Sequence, residues 1–330
     1  MIISKSPLRI SFVGGGTDLR AFYEHHPGMV VSTAINKYIY ICIHKHFDGS
    51  KFLLKYSRVE EGKDVNKIKN DLIREAMKLT GVSGVEIVSM SDVPAKGTGL
   101  GSSSSFIVGL LNALYAYKGE HHSPEDLARK ACQIEIEILG KPIGKQDQYI
   151  AAYGGLKTIV FHKNEKVEIS EIPISHEKRS ELDSDLILFY TGKTRESGSI
   201  LKHQKANTKN KLDSLLKMRI MAEKMAEHLS NNQLDKFGEL LHKNWLEKKQ
   251  LAEGITNPKI DYFYEKAIEN GAIGGKICGA GGGGFLLFYC PKEKQEKVRQ
   301  ALSDSSDLEE TKFGFESEGS KIIYNNYDNL

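Results

Sequence analysis

The densest concentration of chemistry-bearing residues is Pro94-Ala95-Lys96-Gly97-Thr98-Gly99-Leu100-Gly101-Ser102-Ser103-Ser104-Ser105, which leads into the apolar run Phe106 to Tyr117. Glycines let a backbone aim its N–H groups at an anion without obstruction by a Cβ. Hydroxyls add donors, and the start of a helix adds partial positive charge. A segment built this way is a phosphate cradle, and Lys96 to Ser105 are its candidate contacts. A flexible linker would not run straight into a wholly apolar helix.

Two familiar nucleotide patterns do not account for it. The pattern Gly-x-x-x-x-Gly-Lys-Ser/Thr has its ending in Gly192-Lys193-Thr194, but Ile187 stands where the first glycine belongs. Gly279-Ala280-Gly281-Gly282-Gly283-Gly284 meets Gly-x-Gly-x-x-Gly. That fingerprint must open a helix, whereas the β-like run Phe285 to Cys290 follows here.

A second candidate comes from helical spacing. Ser123 reads as an N-cap, with Pro124 at the first helical position and Gly140 as the stop. On a wheel, Leu127, Ala131, Ile134 and Ile138 cluster, with Ala128, Cys132 and Leu139 beside them. Glu135 falls inside this apolar sector and Glu137 outside it. A carboxylate turned toward a core requires a partner, either a cation from a Lys or Arg or a metal ion.

The elements that would hold these residues alternate between strand and helix signals. Leu8 to Val13 reads as a short strand ending in Gly14-Gly15-Gly16. Tyr38 to His46 alternates as a half-buried strand, with Phe52 to Tyr56 as its hairpin partner across Asp48-Gly49. Asp64 to Leu79 reads as an amphipathic helix, Val85 to Met90 as a strand, and Phe106 to Tyr117 as a buried helix. Strand-like segments follow Gly154-Gly155 to about Ser175. Leu186 to Tyr190 reads as a strand, residues from about Ile200 to Glu253 as helical, Lys292 to Leu302 as a charged helix, and Lys321 to Tyr324 as a closing strand. Hairpins with segregated helices predict an α+β fold, divided near residue 185 into segments 1–185 and 186–330.

Composition narrows the function. A chain of 330 residues can bury one large core or two medium ones. A net charge of +3 with scattered Lys and Arg argues against a nucleic-acid partner. No apolar run is long enough to span a bilayer, and no signal peptide is evident. Cys42, Cys132, Cys278 and Cys290 form no Cys-x-x-Cys pair, which fits a reducing cytoplasm. His25-His26 and His121-His122 lack metal-site spacing and read as surface residues.

With three glycine clusters in order, the chain resembles the GHMP kinases over nearly its whole length. Motif one is Pro7-Leu8-Arg9 through Gly14-Gly15-Gly16-Thr17-Asp18, motif two is Pro94 to Ser105, and motif three is Lys276 to Phe285. The resemblance implies a two-domain α+β fold with its active site in the interdomain cleft, and a reaction using ATP and Mg2+. It implies Asp147, in Gly144-Lys145-Gln146-Asp147-Gln148, as catalytic base and Arg9 as the cation beside it. Glu135 would be a metal ligand, with Ser103 as the hydroxyl ligand and Ser102 and Ser104 close behind. Gly15, Gly16, Thr17, Asp18, Gly279 and Gly281 would line the acceptor side. Asp18 also suits a helix N-cap before Leu19.

Two departures are visible. The loop carries an extra residue between Pro94 and Gly99, and Gly15-Gly16 replaces the Glu-His of galactokinases. Together with Gly192-Lys193-Thr194-Arg195 after a strand, these are most similar to the bacterial heptose 7-phosphate kinase branch. Its members phosphorylate the anomeric hydroxyl of D-glycero-D-manno-heptose 7-phosphate, for nucleotide-activated heptose and surface polysaccharide. Lys193 and Arg195 would then bind the 7-phosphate. The same residues leave open another sugar or sugar phosphate as acceptor, or a silent ATP- and sugar-binding sensor. A small-molecule partner and a possible homo-oligomer complete the expectation.

Overall fold

The computed structural model describes residues 1–94, 97–192, 197–303 and 308–327. In chain order the elements are β1 (Ile2–Val13), α1 (Arg20–Tyr23), β2 (Gly28–Lys45), β3 (Phe52–Lys55), β4 (Val59–Gly62), α2 (Asp71–Thr80), β5 (Val85–Ser91), α3 (Ser102–Tyr117) and α4 (Pro124–Cys132). Then come α5 (Gln146–Tyr153), β6 (Leu156–Phe161), β7 (Val167–Glu171), α6 (His176–Ser184), β8 (Leu186–Tyr190), α7 (Ser197–Ala206), α8 (Leu212–Ser230) and α9 (Asp235–Lys248). The remainder are α10 (Pro258–Glu269), β9 (Gly274–Ile277), β10 (Phe285–Tyr289), α11 (Gln295–Ser303), β11 (Glu309–Glu310) and β12 (Lys321–Asn325). The fold is mixed α+β, as expected.

Two sheets organise it. The first runs β12-β1-β2-β5-β3-β4, with β6 also paired to β2 and β7 to β6. The long strands β1 and β2 are antiparallel from Ile2↔Ile43 to Val13↔Val31, with an irregularity at Pro7/Leu8, where proline lacks the N–H that a regular ladder needs. The first half of β2 pairs with β6 and its second half with β5. The second sheet is β11-β8-β10-β9. The strand β12 lies beside β1, and Phe315 bridges Ile35, so residues late in the chain return to the first sheet.

Several local expectations change. The run Phe52 to Tyr56 is not the hairpin partner of Tyr38 to His46. Strand β5 takes that edge of β2, and β3 pairs in parallel with β5 and antiparallel with β4. The helix read over Asp64 to Leu79 is split. A 3-10 turn at Val65–Lys67 ends in extended backbone at Ile68, and α2 restarts where the Asn70 side chain accepts from the N–H of Ile73. Helix α3 starts at Ser102, inside the hydroxyl run, with Gly101 left-handed at its cap. No helix was expected between residues 253 and 271, yet α10 forms there, capped by Asn257 with Pro258 at its first position.

Buried α3 lies on β1 and β2. The Ser4 hydroxyl donates to the Gly109 carbonyl at 2.8 Å, and a Cβ on Gly109 would lie 2.7 Å from Ser6 Oγ. The helix therefore rides close to the strand that carries Arg9. Helix α4 continues into a π turn, Gln133–Ile138, where the Leu139 N–H donates to the Ile134 carbonyl at 3.0 Å. The wider turn advances less per residue. Glu135 stays fully buried, but Ile138, expected on the apolar face, is 49% exposed.

Candidate active site

The glycine loop is fastened to β1. The Arg9 N–H donates to the Leu100 carbonyl at 3.0 Å, and the Ser105 hydroxyl donates to the Pro7 carbonyl at 2.7 Å. Gly97, Gly99 and Gly101 all have left-handed φ, at 70°, 79° and 78°, a conformation costly for any side chain with a Cβ. The third glycine cluster packs backbone to backbone against this loop. A Cβ on Gly99 would sit 2.3 Å from the Cys278 carbonyl oxygen, and one on Gly279 would sit 2.4 Å from Gly99 Cα. A Cβ on Gly284 would reach within 2.4 Å of the Thr98 carbonyl oxygen. Motifs far apart in sequence thus share one contact that only glycine permits.

Between the clusters opens a cavity of about 470 Å³, within the usual range for a small-molecule site. Arg9 and Asp147 face each other across one wall. Arg9 Nε donates to Asp147 Oδ1 at 2.8 Å and Nη2 to Oδ2 at 2.7 Å, while Nη1 donates to the Gly99 carbonyl at 2.6 Å. This bidentate fork fixes the carboxylate's plane and ties it to the loop. Arg9 is buried but the Asp147 side chain is 24% exposed, so removing either partner costs less than the roughly 3–5 kcal/mol of a fully buried pair.

In the same cavity, Glu135 is held by four side chains. Ser103 Oγ donates to Oε1 at 2.7 Å, and Ser104 Oγ donates to Oε2 at 2.7 Å. Gln148 Nε2 donates to Oε2 at 2.7 Å, and Lys141 Nζ lies 3.3 Å from Oε1. The buried carboxylate therefore has a cation partner, and Lys141 also lies 3.4 Å from Ser103 Oγ. Two hard oxygens lining the cavity, with an ammonium beside both, fit a magnesium corner.

Asp18 occupies a third wall. Its Oδ1 accepts from the Gly16 N–H at 2.8 Å, and Oδ2 accepts from Gln146 Nε2 at 3.0 Å. A Cβ on Gly144 would lie 1.9 Å from Oδ2, so glycine there makes room for the carboxylate. Burial raises the Asp18 pKa above its ordinary value, partly countered by the Gly16 hydrogen bond and reinforced by the nearby Asp147 charge. The N-cap expectation for Asp18 does not hold, because Leu19 is the N-cap residue of the short helix α1.

The structure brings Arg9, Gly15, Gly16, Asp18, Gly97, Thr98, Gly99, Gly101, Ser102, Ser103, Ser104, Glu135, Asp147, Gly279 and Gly281 to the cavity. Three expected contacts are elsewhere. Thr17 is fully buried, with its hydroxyl donating to the Gly14 and Met29 carbonyls, where it closes the turn. Leu100 and Ser105 are also fully buried and do not line the cavity. Lys96, Lys193 and Arg195 lie outside the described residues.

Comparison with known proteins places this geometry. Residues 66–155 match the family described as GHMP kinases N terminal domain, and residues 222–307 match GHMP kinases C terminal. A D-glycero-alpha-D-manno-heptose 7-phosphate kinase of Campylobacter jejuni is 30% identical over 97% of this chain and 98% of its own length. The chain belongs to the GHMP kinases. A galactokinase of Pyrococcus furiosus is 28% identical over 91% of this chain and 92% of its own. A solved D-glycero-D-manno-heptose 1-phosphate kinase from Bacteroides thetaiotaomicron has the same fold, with a TM-score of 0.81 at 24% identity, covering 98% of this chain and 100% of that one. As a GHMP kinase the protein is an ATP-dependent phosphotransferase acting on a small molecule.

Two buried lysines of this GHMP kinase carry no role in the sequence analysis, although Lys276 opens motif three. Lys248, at the end of α9, is 5% exposed, lines the cavity and donates to the Gly279 carbonyl at 2.6 Å. Burial first, and Arg9 second, lower its pKa to about 8. Lys276, in β9, is 1% exposed and donates to the Ser11 and Phe12 carbonyls at 2.5 and 3.3 Å, stitching the second sheet to β1. Burial pushes its pKa well down. A usable signal for Lys248 existed, since Phe237, Leu241, Asn244 and Lys248 recur on the buried stripe of α9.

Proposed function

We propose that this GHMP kinase transfers the γ-phosphoryl group of ATP to the anomeric hydroxyl of D-glycero-D-manno-heptose 7-phosphate, giving the 1,7-bisphosphate and ADP. The observation that carries the chemistry is Asp147, clamped by Arg9 in the same cavity as the glycine loop. The full-length similarity to a heptose 7-phosphate kinase supports the acceptor. Phosphoryl transfer rests mainly on positioning and charge neutralisation. Asp147 accepts the acceptor's hydroxyl proton, a role that typically contributes ~10²–10⁴-fold. Arg9 holds that carboxylate in a fixed orientation.

The glycine loop, with Thr98 and Ser102 to Ser104, carries the ATP phosphates. Glu135 and Ser103 would hold Mg2+, which when bound with ATP offsets the charge of its phosphates. Asp18, Gly15, Gly16, Gly279 and Gly281 form the acceptor side. Thr17 shapes that side from behind, and Lys193 and Arg195 bind the 7-phosphate. In this reading the lobes divide near residue 185, with residues 313–325 rejoining the first. The product serves nucleotide-activated heptose for surface polysaccharide.

ADP release over a panel of sugars and sugar phosphates tests the acceptor. Heptose 7-phosphate should give the highest kcat/KM, with Asp147→Asn abolishing turnover while ATP still binds. A preference for galactose or fucose would replace the acceptor, and ATP binding with no turnover of any sugar would favour a sensor.

A further inference from the structure

Three cations line the cavity among the described residues: Arg9, Lys141 and Lys248. Two are committed. Arg9 spends both its inner edge and Nη1 on Asp147 and the Gly99 carbonyl. Lys141 sits on Glu135. Lys248 differs. It has no carboxylate within ion-pair distance among the described residues, and its one hydrogen bond there is to a neutral carbonyl. An ammonium carries three donors, so two remain unused in a nearly closed environment. A buried, unpaired charge is costly unless something completes it. The site is built for an anion that arrives with substrate.

The position says which anion. The Gly279 carbonyl that anchors Lys248 belongs to the residue packed on Gly99 of the phosphate loop. On its other side the ammonium lies 3.9 Å from where a Cβ on Gly15 would be. It is also close enough to Arg9, Asp147 and Asp18 for their charges to act on it. Lys248 therefore stands between the donor loop and the acceptor wall, beside the Arg9–Asp147 pair.

We propose that Lys248 is the catalytic cation that meets the phosphoryl group in transit from ATP to the acceptor. In that step the acceptor oxygen forms a bond to the γ-phosphorus, and the bond from that phosphorus to the β–γ bridging oxygen breaks. The hydroxyl proton goes to Asp147, and the electron pair of the broken bond leaves on ADP. Lys248 stays protonated and donates to the equatorial phosphoryl oxygens. A preorganised donor in a dry site is worth most where charge accumulates. This inference rests on the kinase reading of the cavity but not on the identity of the sugar.

Kinetics of Lys248→Met and Lys248→Arg, with heptose 7-phosphate and separately with water as acceptor, test it. Loss of one such donor typically lowers kcat ~10²–10³-fold. Lys248→Met should show that loss in both reactions, with Kd for ADP and KM for the sugar changed less than about threefold. The pH profile separates chemistry from packing. The wild-type rate should fall as pH rises through the ammonium's pKa, which Arg9, Asp18, Asp147, Cys278 and Lys276 surround. Lys248→Arg, whose guanidinium does not titrate there, should retain part of the rate and lose that alkaline limb. An unchanged kcat in Lys248→Met, a loss confined to sugar KM, or an alkaline limb that persists in Lys248→Arg would each overturn the assignment. Failure of heptose 7-phosphate alone, with water-driven hydrolysis still sensitive to Lys248, would remove the proposed acceptor and leave Lys248 in place.

Discussion

Replacing Lys248 by Met should change the pH dependence of folding in a calculable way. The lysine's pKa falls from 10.5 to about 8 on burial. At about 1.4 kcal/mol per pH unit, the folded state carries a penalty of roughly 3 kcal/mol for holding that proton. Between pH 8 and 10.5 the unfolded chain binds more protons than the folded one, so stability rises with pH through this window. By pH 9.5 wild type should have gained about 2 kcal/mol relative to its value at pH 7 from this group alone. Lys248→Met lacks the group. Its lost hydrogen bond to the Gly279 carbonyl is a pH-independent offset of about 1–3 kcal/mol. Urea unfolding of both proteins without ligand at pH 7 and pH 9.5 gives the difference directly, because other titrations are common to both. Wild type should gain on the variant by about 2 kcal/mol across that interval. Parallel stability curves would show that the folded lysine titrates near its free value, and the argument from burial would fail.

Gly99→Ala would force a Cβ to 2.3 Å from the Cys278 carbonyl oxygen at a φ of 79°. Left-handed backbone alone costs about 1–2 kcal/mol for alanine, so a loss of roughly 2–4 kcal/mol in urea unfolding is expected, against almost none for Gly49→Ala, which meets open space. Glu135→Gln removes the charge that Ser103, Ser104, Gln148 and Lys141 surround. Calorimetry should show weaker magnesium-dependent ADP binding by about tenfold or more, with metal-free ADP binding little changed.

What the sequence disclosed depended on how local each cause was. Glu135 could be found because a charge on an apolar helix stripe is visible within four turns. The cap at Ser123 and the glycine φ values are equally local. The partner of β2 could not be found this way. A tight Asp-Gly turn favours a hairpin, but β5, entering from farther along the chain, supplies a longer ladder, seven residues against the four of β3. From sequence, the glycines of motif two are phosphate contacts and Gly279 and Gly281 of motif three line the acceptor side; neither reading includes a contact between the two motifs. The packing of Gly99 on Gly279 is a contact between distant segments, and nothing in either segment announces it. Lys248 was missed for a different reason. It lies on the same stripe as Phe237, Leu241 and Asn244, so a wheel of α9 alone places it inward, but the segment from Ile200 to Glu253 reads only as helical without its separate helices resolved.

The pairing of β12 with β1 has a consequence for biosynthesis. Strand β1 is translated near the start of this sequence, and its outer neighbour follows roughly 300 residues later. At about 5–20 residues per second, that edge waits about 15–60 s for its native cover. In the interval Ile2 to Lys5 present unpaired strand backbone, the kind of surface that recruits other nascent chains. Only its outer end is at risk, since β12 covers Ile2 to Lys5 while β2, made soon after, secures the rest.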